Sequence, residues 1–160
     1  MTHDHVKTEI AIDVAAVPRV VFDLAQDIER WPELLPHYRY VTVQSLKDGR
    51  ILARMSARRP VGPVGVPVAW RSEYRSDDAD PSDLRLHFLH RAGVTRGMRV
   101  TWRIRPSSGG SRVTIEHDFV RPLPLLGPDF IPQVVDRLFV RPIAGRTLAT
   151  FKQLAEAQEQ

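Results

Sequence analysis

A long series of period-two segments, followed by one apolar helical segment, constrains the fold of this chain more than any other feature. Turn residues separate these segments, and Asp48-Gly49 is the strongest hairpin signal among them. Successive strands joined by short turns pair in antiparallel fashion. The strands are predicted at about 6–13, 38–47, 50–58, 67–76, 83–90, 96–105 and 111–120.

The segments between and after these strands predict helices and stiff loops. Pro18 suits the first turn of a short helix, and a second short helix is predicted over residues 28–35. Near the C-terminus the apolar period changes to 3.6, which predicts a long helix with a kink or break at Pro142. Residues 59–67 and 121–132 are rich in proline and are predicted to be loops.

These elements predict an α+β helix-grip fold, in which a curved antiparallel sheet of seven strands and two short helices enclose a cavity together with the long C-terminal helix. A helix is only about 10 Å wide, so it cannot fill the concave side of such a sheet. Bulky side chains, water or a ligand must fill the remaining space. A single domain spanning residues 1–160 is expected.

Composition excludes several classes of function. The net charge is +4, but the arginines are scattered rather than gathered in one patch, so nucleic acid is not an expected partner. The absence of cysteine excludes disulfides and thiolate chemistry. No apolar run reaches the roughly 18 residues that a membrane span needs, so stable membrane insertion is not expected. The polar N-terminus lacks a secretory pattern, and a cytoplasmic location is the expectation.

The predicted inward faces of the strands and of the long helix are mostly apolar with a few polar groups, which is typical of a ligand site. Trp70 and Trp102 offer ring area to a planar ligand, and plain core packing is the alternative for both. The residues predicted to contact a ligand are Trp70, Ser72, Leu86, Phe88, Met98, Val100, Trp102, Ile115, Phe119, Val135, Leu138 and Phe139.

Four titratable side chains on predicted inward positions are candidate catalytic residues. Tyr38 and Tyr74 could donate hydrogen bonds, and His90 and His117 could exchange protons near neutral pH. The alternative is that all four are structural residues satisfied by their neighbours. Trp31 is expected to cap the core. No metal site and no cofactor are expected.

The segment FDLAQDIERWPELLPHY, residues 22–38, resembles the polyketide cyclase/dehydrase branch of the START/Bet v 1-like superfamily. The similarity extends through the strands of Trp70 and Trp102 to Glu116-His117-Asp118-Phe119, and it ends in the long helix at residues 147–152. It therefore covers nearly the whole chain. The resemblance implies the same helix-grip fold.

The resemblance also implies a function. The family includes cofactor-free aromatase/cyclases, which fold a poly-β-ketone and promote aldol closure and dehydration. It also includes carriers of lipids or isoprenoid quinones, and a partner-regulating module is a third alternative. Tyr38 matches a pocket tyrosine, Trp70 and Trp102 match pocket-wall aromatics, and Tyr74 stands where the cyclases have an arginine. Several relatives form pairs, which leaves a homodimer open.

Overall fold

Seven antiparallel strands form one curved sheet with helices packed against it. The computed structural model describes residues 5–61, 63–93, 95–120, 137 and 140–160. The strand order is β1-β7-β6-β5-β4-β3-β2, which confirms the predicted helix-grip sheet. The elements are β1 (His5–Val14), α1 (Pro18–Gln26), a 3-10 turn (Ile28–Arg30), α2 (Trp31–Leu34), β2 (Tyr38–Ser45), β3 (Ile51–Val61), β4 (Val64–Asp77), β5 (Leu84–Gly93), β6 (Arg99–Ser107), β7 (Gly110–Val120) and α3 (Arg141–Gln158).

Irregular positions in β2 and β4 bend the sheet. The register shifts between Tyr38 and Tyr40 and again between Arg71 and Ser72, and such bulges increase the local twist of a strand. Next to the second shift, Gly93 pairs with Trp70 at a φ of +105°. A Cβ at Gly93 would lie 2.7 Å from the Ala69 carbonyl oxygen, so only glycine fits this close approach.

The predicted loop over residues 59–67 is wrong, because β3 continues to Val61 and β4 begins at Val64. The register of β3 with β2 ends at Ala57, and that of β4 with β5 ends at Trp70. Beyond these points β3 and β4 form a two-stranded ribbon. Prolines are tolerated there because their missing N–H groups can face an open edge.

The strand predicted from about residue 96 starts later, at Arg99. The preceding residues form a turn in which the Gly97 amide donates to the His90 carbonyl at 2.8 Å and the Met98 amide donates to the Thr95 carbonyl at 3.0 Å. This turn brings Thr95 back towards His90.

Helix α3 lies against β1 and α1. Its buried face includes Leu148 and Phe151, which join the core. On the outer side, Lys152 Nζ donates to the Asp13 carbonyl at 3.0 Å, and Glu156 Oε1 accepts from the Ala15 amide at 2.9 Å. These contacts fix the helix to the end of β1.

The α-helical geometry of α3 begins at Arg141, next to the proline at which the sequence predicts a kink or break. Pro142 therefore lies in the first turn, where a helix loses no hydrogen bond to proline. Val135, Leu138 and Phe139, predicted to contact a ligand, lie outside the described residues. None of the helices in the described ranges is long and apolar enough to cross a membrane.

Candidate functional site

A cavity of about 90 Å³ lies between the concave face of the sheet and α3. It has room for several water molecules, but it is well below the roughly 300–1,000 Å³ of typical ligand pockets. A larger ligand therefore requires the wall to move. The lining residues are Trp31, Tyr38, Met55, Val68, Trp70, Phe88, His90, Thr95, Met98, Val100, Trp102, Ile115, His117, Val140, Ile143, Ala144 and Thr147.

The floor of the cavity is a cluster of aromatic rings centred on Trp31. Its ring centroid lies 5.2 Å from that of Tyr38 and 5.7 Å from that of Trp102. The indole Nε1 donates to the Ala25 carbonyl at 3.0 Å, which fixes the ring between α1 and the sheet. Trp31 is only 2% exposed, so it caps the core as the sequence predicts, and it also lines the cavity.

His90 lies at a polar end of the cavity. Its Nδ1 is 2.5 Å from Thr95 Oγ1, and its ring stacks on Trp70 with centroids 5.9 Å apart. Burial lowers the pKa of His90 to about 3, and the neighbouring His117 contributes in the same direction. His90 is therefore neutral near pH 7. A neutral imidazole both donates and accepts a hydrogen bond, so His90 is suited to binding an oxygen rather than to taking up a proton.

A second polar group lies where β2 meets α3. The Thr147 hydroxyl donates to the Ile143 carbonyl at 2.8 Å, so its oxygen accepts from His37 Nε2 at 2.8 Å. Burial raises the pKa of Tyr38, and the Thr147 hydroxyl opposes that shift only in part. The Tyr38 phenol thus stays protonated and is available as a donor.

His37 is the residue that most clearly escapes sequence reasoning. Its partner Thr147 is 110 positions away, and no spacing rule links a loop residue to a helix that far along the chain. Burial, followed by the charge of Arg146, lowers the pKa of His37 to about 4, although the Ile143 carbonyl acts in the opposite direction. The imidazole is therefore neutral near pH 7.

The structure brings together most of the predicted site residues. Of the catalytic candidates, Tyr38, His90 and His117 line the cavity. Of the ligand-contact candidates, Trp70, Phe88, Met98, Val100, Trp102 and Ile115 line it.

Four further candidates are buried but do not line the cavity. The Tyr74 hydroxyl donates to the Gln26 carbonyl at 2.7 Å, which fixes α1 to β4. Ser72 is fully buried, and its hydroxyl has no hydrogen-bond partner among the residues that the structure describes. Leu86 and Phe119 are core residues with no exposed surface. These four are thus placed as structural neighbours of the site.

Several lining residues have no counterpart among the sequence-predicted contacts. Ile143 and Thr147 lie one helical turn apart on α3, and their i, i+4 spacing could have indicated a shared face. Thr95 has no such signal because it reaches the cavity only through the turn before β6. Among the described residues, no group of three or more His, Cys, Asp or Glu side chains is placed to hold a metal ion.

The two arginines flanking the Tyr74 position, Arg71 and Arg75, are both exposed. They lie on the outer face of β4, as the alternation of side chains along a strand requires. Neither guanidinium reaches the cavity.

Comparison with known proteins places these features in a family. A protein from Streptomyces cyaneus assigned as a polyketide cyclase is 29% identical over 112 residues, which cover 70% of this chain and 71% of that protein. The model of the family described as polyketide cyclase / dehydrase and lipid transport matches residues 14–142.

Solved structures share the fold at low sequence identity. The Zhui aromatase/cyclase from a Streptomyces species superposes with a TM-score of 0.71 at 19% identity, covering 98% of this chain and 96% of that one. The di-domain aromatase/cyclase StfQ of the steffimycin biosynthetic pathway gives a TM-score of 0.73 at 18% identity, covering 97% of this chain. The chain spans about half of that di-domain protein, 52% of its length. From its strands, its helices and the match to most of its length, the chain belongs to the polyketide cyclase/dehydrase and lipid transport family, within the START/Bet v 1-like fold.

Proposed function

We propose that the protein binds an aromatic or polyketide-type small molecule in the cavity and promotes its aldol cyclisation and dehydration. The observation that carries the proposal is the convergence of three hydrogen-bonding side chains, Tyr38, His90 and His117, on one aromatic-walled cavity. Aromatic walls suit planar ligands, and convergent polar groups give them a fixed orientation.

The proposed chemistry assigns one role to each polar group. Aldol closure begins when a base removes a proton from the carbon next to a carbonyl group, and His117 is the proposed base. The Tyr38 phenol and the neutral His90 ring then donate to the enolate oxygen that forms. The enolate carbon bonds to a second carbonyl carbon of the same chain, and the protonated His117 returns its proton to the alkoxide that forms. The resulting hydroxyl group then leaves as water together with a proton from the neighbouring carbon, which gives the double bond. No external oxidant, reductant or cofactor is needed.

Binding of such a ligand requires the cavity to widen, and two methionines in its wall provide a means. Met55 and Met98 both line the cavity. Methionine is unbranched and adopts several rotamers at little cost, so its side chain can withdraw to admit a ring. Trp70, which also lines the cavity, is only partly buried.

The test is cyclisation by a reconstituted minimal polyketide synthase with and without the protein. The wild-type protein is expected to shift the product profile towards cyclised, dehydrated products. His117→Gln should abolish the shift, and Tyr38→Phe should reduce it about tenfold or more, because one donor to the enolate is lost. Tyr40→Phe is the matched control, since Tyr40 lies on the same strand but is not a cavity residue. A product profile unchanged by the wild-type protein would count against the proposal.

A second candidate function, carriage of a lipid or isoprenoid quinone, is supported by a different observation. Val64 and Val66, at the tip of the β3–β4 ribbon, are 65% and 43% exposed and form a small apolar surface. Native mass spectrometry of protein purified from its source separates the two functions. A copurified lipid or quinone supports carriage, whereas a copurified polycyclic aromatic compound supports the cyclase.

A further inference from the structure

A second concavity, larger than the cavity, lies on the outside of α3. This groove of about 400 Å³ runs between α3, the loop after α2 and the tip of the β3–β4 ribbon. Its lining residues are Pro36, His37, Arg58, Pro63, Val64, Gly65, Arg146 and Thr150. Two arginines thus line one groove, and the residues of its lining that the structure describes include no carboxylate.

Several arginines elsewhere in the molecule are paired with carboxylates. Arg50, for example, lies 2.7 Å from Glu73, and Arg103 lies 2.6 Å from Asp83. Within the described part of the chain, neither Arg58 nor Arg146 makes an ion pair. Two like charges that share a groove repel each other, so an anion between them would relieve a repulsion as well as gain two attractions.

The backbone under Arg58 is shaped to hold its side chain in place. A Cβ at Gly65 would lie 3.0 Å from Arg58 Cβ and 3.2 Å from Arg58 Cδ. The stem of Arg58 therefore lies across the surface that the glycine leaves open. On the opposite wall, Arg146 is fixed to α3 one turn before Thr150. The two arginines thus lie on separate elements that border the same groove.

We propose that this groove binds an oxyanion, the carboxylate or phosphate group of a ligand, between Arg58 and Arg146. Arginine suits such a group because its planar fork matches the geometry of carboxylate and phosphate oxygens. Val64 and the two prolines give the groove an apolar rim, so an oxyanion attached to an apolar chain fits better than a free ion. The site lies apart from the cavity and stands whether or not the cavity performs chemistry.

The ionisation of His37 should respond to an anion bound in the groove. Its ring lines the groove, whereas its hydrogen-bond partner Thr147 lines the cavity, so this pair separates the two spaces. The charged side chains that face His37 in the groove are Arg58 and Arg146. Burial and, after it, the charge of Arg146 lower the pKa of His37, so an oxyanion that binds beside Arg146 should raise that pKa above about 4.

The first test measures binding of decanoate, 1-decanol and inorganic phosphate by calorimetry at constant ionic strength, with the His37 ring signals followed by NMR. Decanoate is expected to bind at least about tenfold more tightly than 1-decanol, because only the carboxylate makes charge-assisted hydrogen bonds. Arg58→Gln and Arg146→Gln should each weaken decanoate binding by about tenfold and leave 1-decanol binding unchanged.

Arg54→Gln is the matched control. It removes the same charge from the same strand at a residue outside the groove, and it should not affect decanoate binding. Equal affinity for decanoate and 1-decanol in the wild type would overturn the proposal. So would an Arg54→Gln effect as large as that of Arg58→Gln.

Inorganic phosphate distinguishes the two sources of the oxyanion. A His37 shift with phosphate alone supports a site for a free ion, and a shift with decanoate only supports a site for the acidic end of an amphiphile. A ligand that shifts His90 and His117 but not His37 occupies the cavity and counts against the groove. These measurements therefore test the proposal for the groove separately from the proposal for the cavity.

A second test alters the groove without altering charge. Gly65→Ala displaces the Arg58 stem and should weaken decanoate binding by a few-fold. Gly109→Ala is its control, since a Cβ at Gly109 meets nothing within 4 Å. Equal binding by the wild type and by Gly65→Ala would show that the placement of Arg58 by the glycine is unimportant, which contradicts the proposed geometry.

Discussion

The two faces of β5 and β6 differ in the partners that they give to polar side chains. On the outer face Asp83 accepts from Arg85 at 2.5 Å, from Arg103 at 2.6 Å and from Arg105 at 3.2 Å. On the inner face His90 contacts the Thr95 hydroxyl and the ring of Trp70, and its charged neighbours are replaced by another imidazole, that of His117. Alternate residues of the same strands thus enter two different electrostatic environments.

Both faces lower a pKa, with opposite consequences for charge. Hydrogen bonds from Arg103, followed by those from Arg85 and Arg105, hold the pKa of Asp83 well below its usual range, so Asp83 stays charged. Burial lowers the pKa of His90 to about 3, so His90 stays neutral. The outer face is stabilised by matched charges, and the inner face excludes charge. A cavity that excludes charge favours a neutral, aromatic guest over an ion.

The largest expected effect is the loss of the inner aromatic cluster. Trp31→Ala should lower the free energy of unfolding by about 3–5 kcal/mol, because the ring packed among Tyr38, Phe88 and Trp102 leaves a void. Urea denaturation measures the change. Trp31→Phe, which keeps a ring there, should cost clearly less. Equal losses in the two variants would show that packing at the inner face contributes little.

Acid should destabilise the inner face before it reaches the outer one. His90 has an ordinary pKa of 6.5, lowered in the folded protein to about 3, so below pH 6.5 the unfolded chain takes up a proton that the folded chain excludes. The free energy of unfolding should therefore fall between pH 6.5 and pH 4, with a slope of up to about 1.4 kcal/mol per pH unit for this residue.

Urea denaturation across this pH range checks the slope. His90→Gln should flatten it by removing the titrating ring. The half-buried His87, on the outer face of the same strand, provides the comparison, and His87→Gln should flatten the slope less. A slope that His90→Gln leaves unchanged would contradict the assignment of the effect to the inner face.

Removal of the outer-face carboxylate should lower the free energy of unfolding by a smaller amount. Here the charged form of the side chain stabilises the fold, whereas on the inner face the neutral form does. Asp83→Asn should cost about 1–3 kcal/mol at pH 7, because three arginines lose a charged acceptor. The carboxylate stabilises the fold above its unfolded pKa near 3.8, and this contribution is lost as the pH falls towards the lowered folded value.

The difference between the wild type and Asp83→Asn should therefore shrink between pH 4 and pH 2. Asp78→Asn is the control, since its exposed pair with Arg19 should contribute well under about 1 kcal/mol. If both substitutions lower the free energy of unfolding equally, the ion pairs of Asp83 contribute no more than an exposed pair.

The smallest expected effect separates a structural tyrosine from a cavity tyrosine. Tyr74→Phe should lower the free energy of unfolding by about 0.5–1.5 kcal/mol, because the hydrogen bond to Gln26 is lost. Cyclisation in the polyketide synthase assay should be unchanged. A loss of cyclisation as large as that caused by Tyr38→Phe would show that Tyr74 takes part in the reaction.

The sheet was predictable from sequence because alternation is a local signal. Inward positions such as Trp102 and Ile115 follow from the period of two, and both are almost fully buried. The β3–β4 ribbon was not predictable, since prolines favour a loop unless the partner strands are known to end. The pairing of His37 with Thr147 depends on where α3 lies relative to the loop before β2, which no residue pattern encodes.

Strands β3 and β4 pair with each other over their whole length, but they pair with the neighbouring strands β2 and β5 over only part of it. Up to Ala57 and from Trp70 onward, each strand pairs with neighbours on both sides, and the Arg58 amide still donates to the His37 carbonyl at 2.7 Å. Beyond Arg58, the described residues of the ribbon pair only with each other. Bending of the ribbon where the outer pairing ends breaks few contacts, because only the two-stranded part moves while the rest of the sheet keeps its hydrogen bonds. Arg58 lies at the fixed base and Gly65 lies on the arm next to it, so the angle of the arm sets how closely the glycine lies against the Arg58 stem.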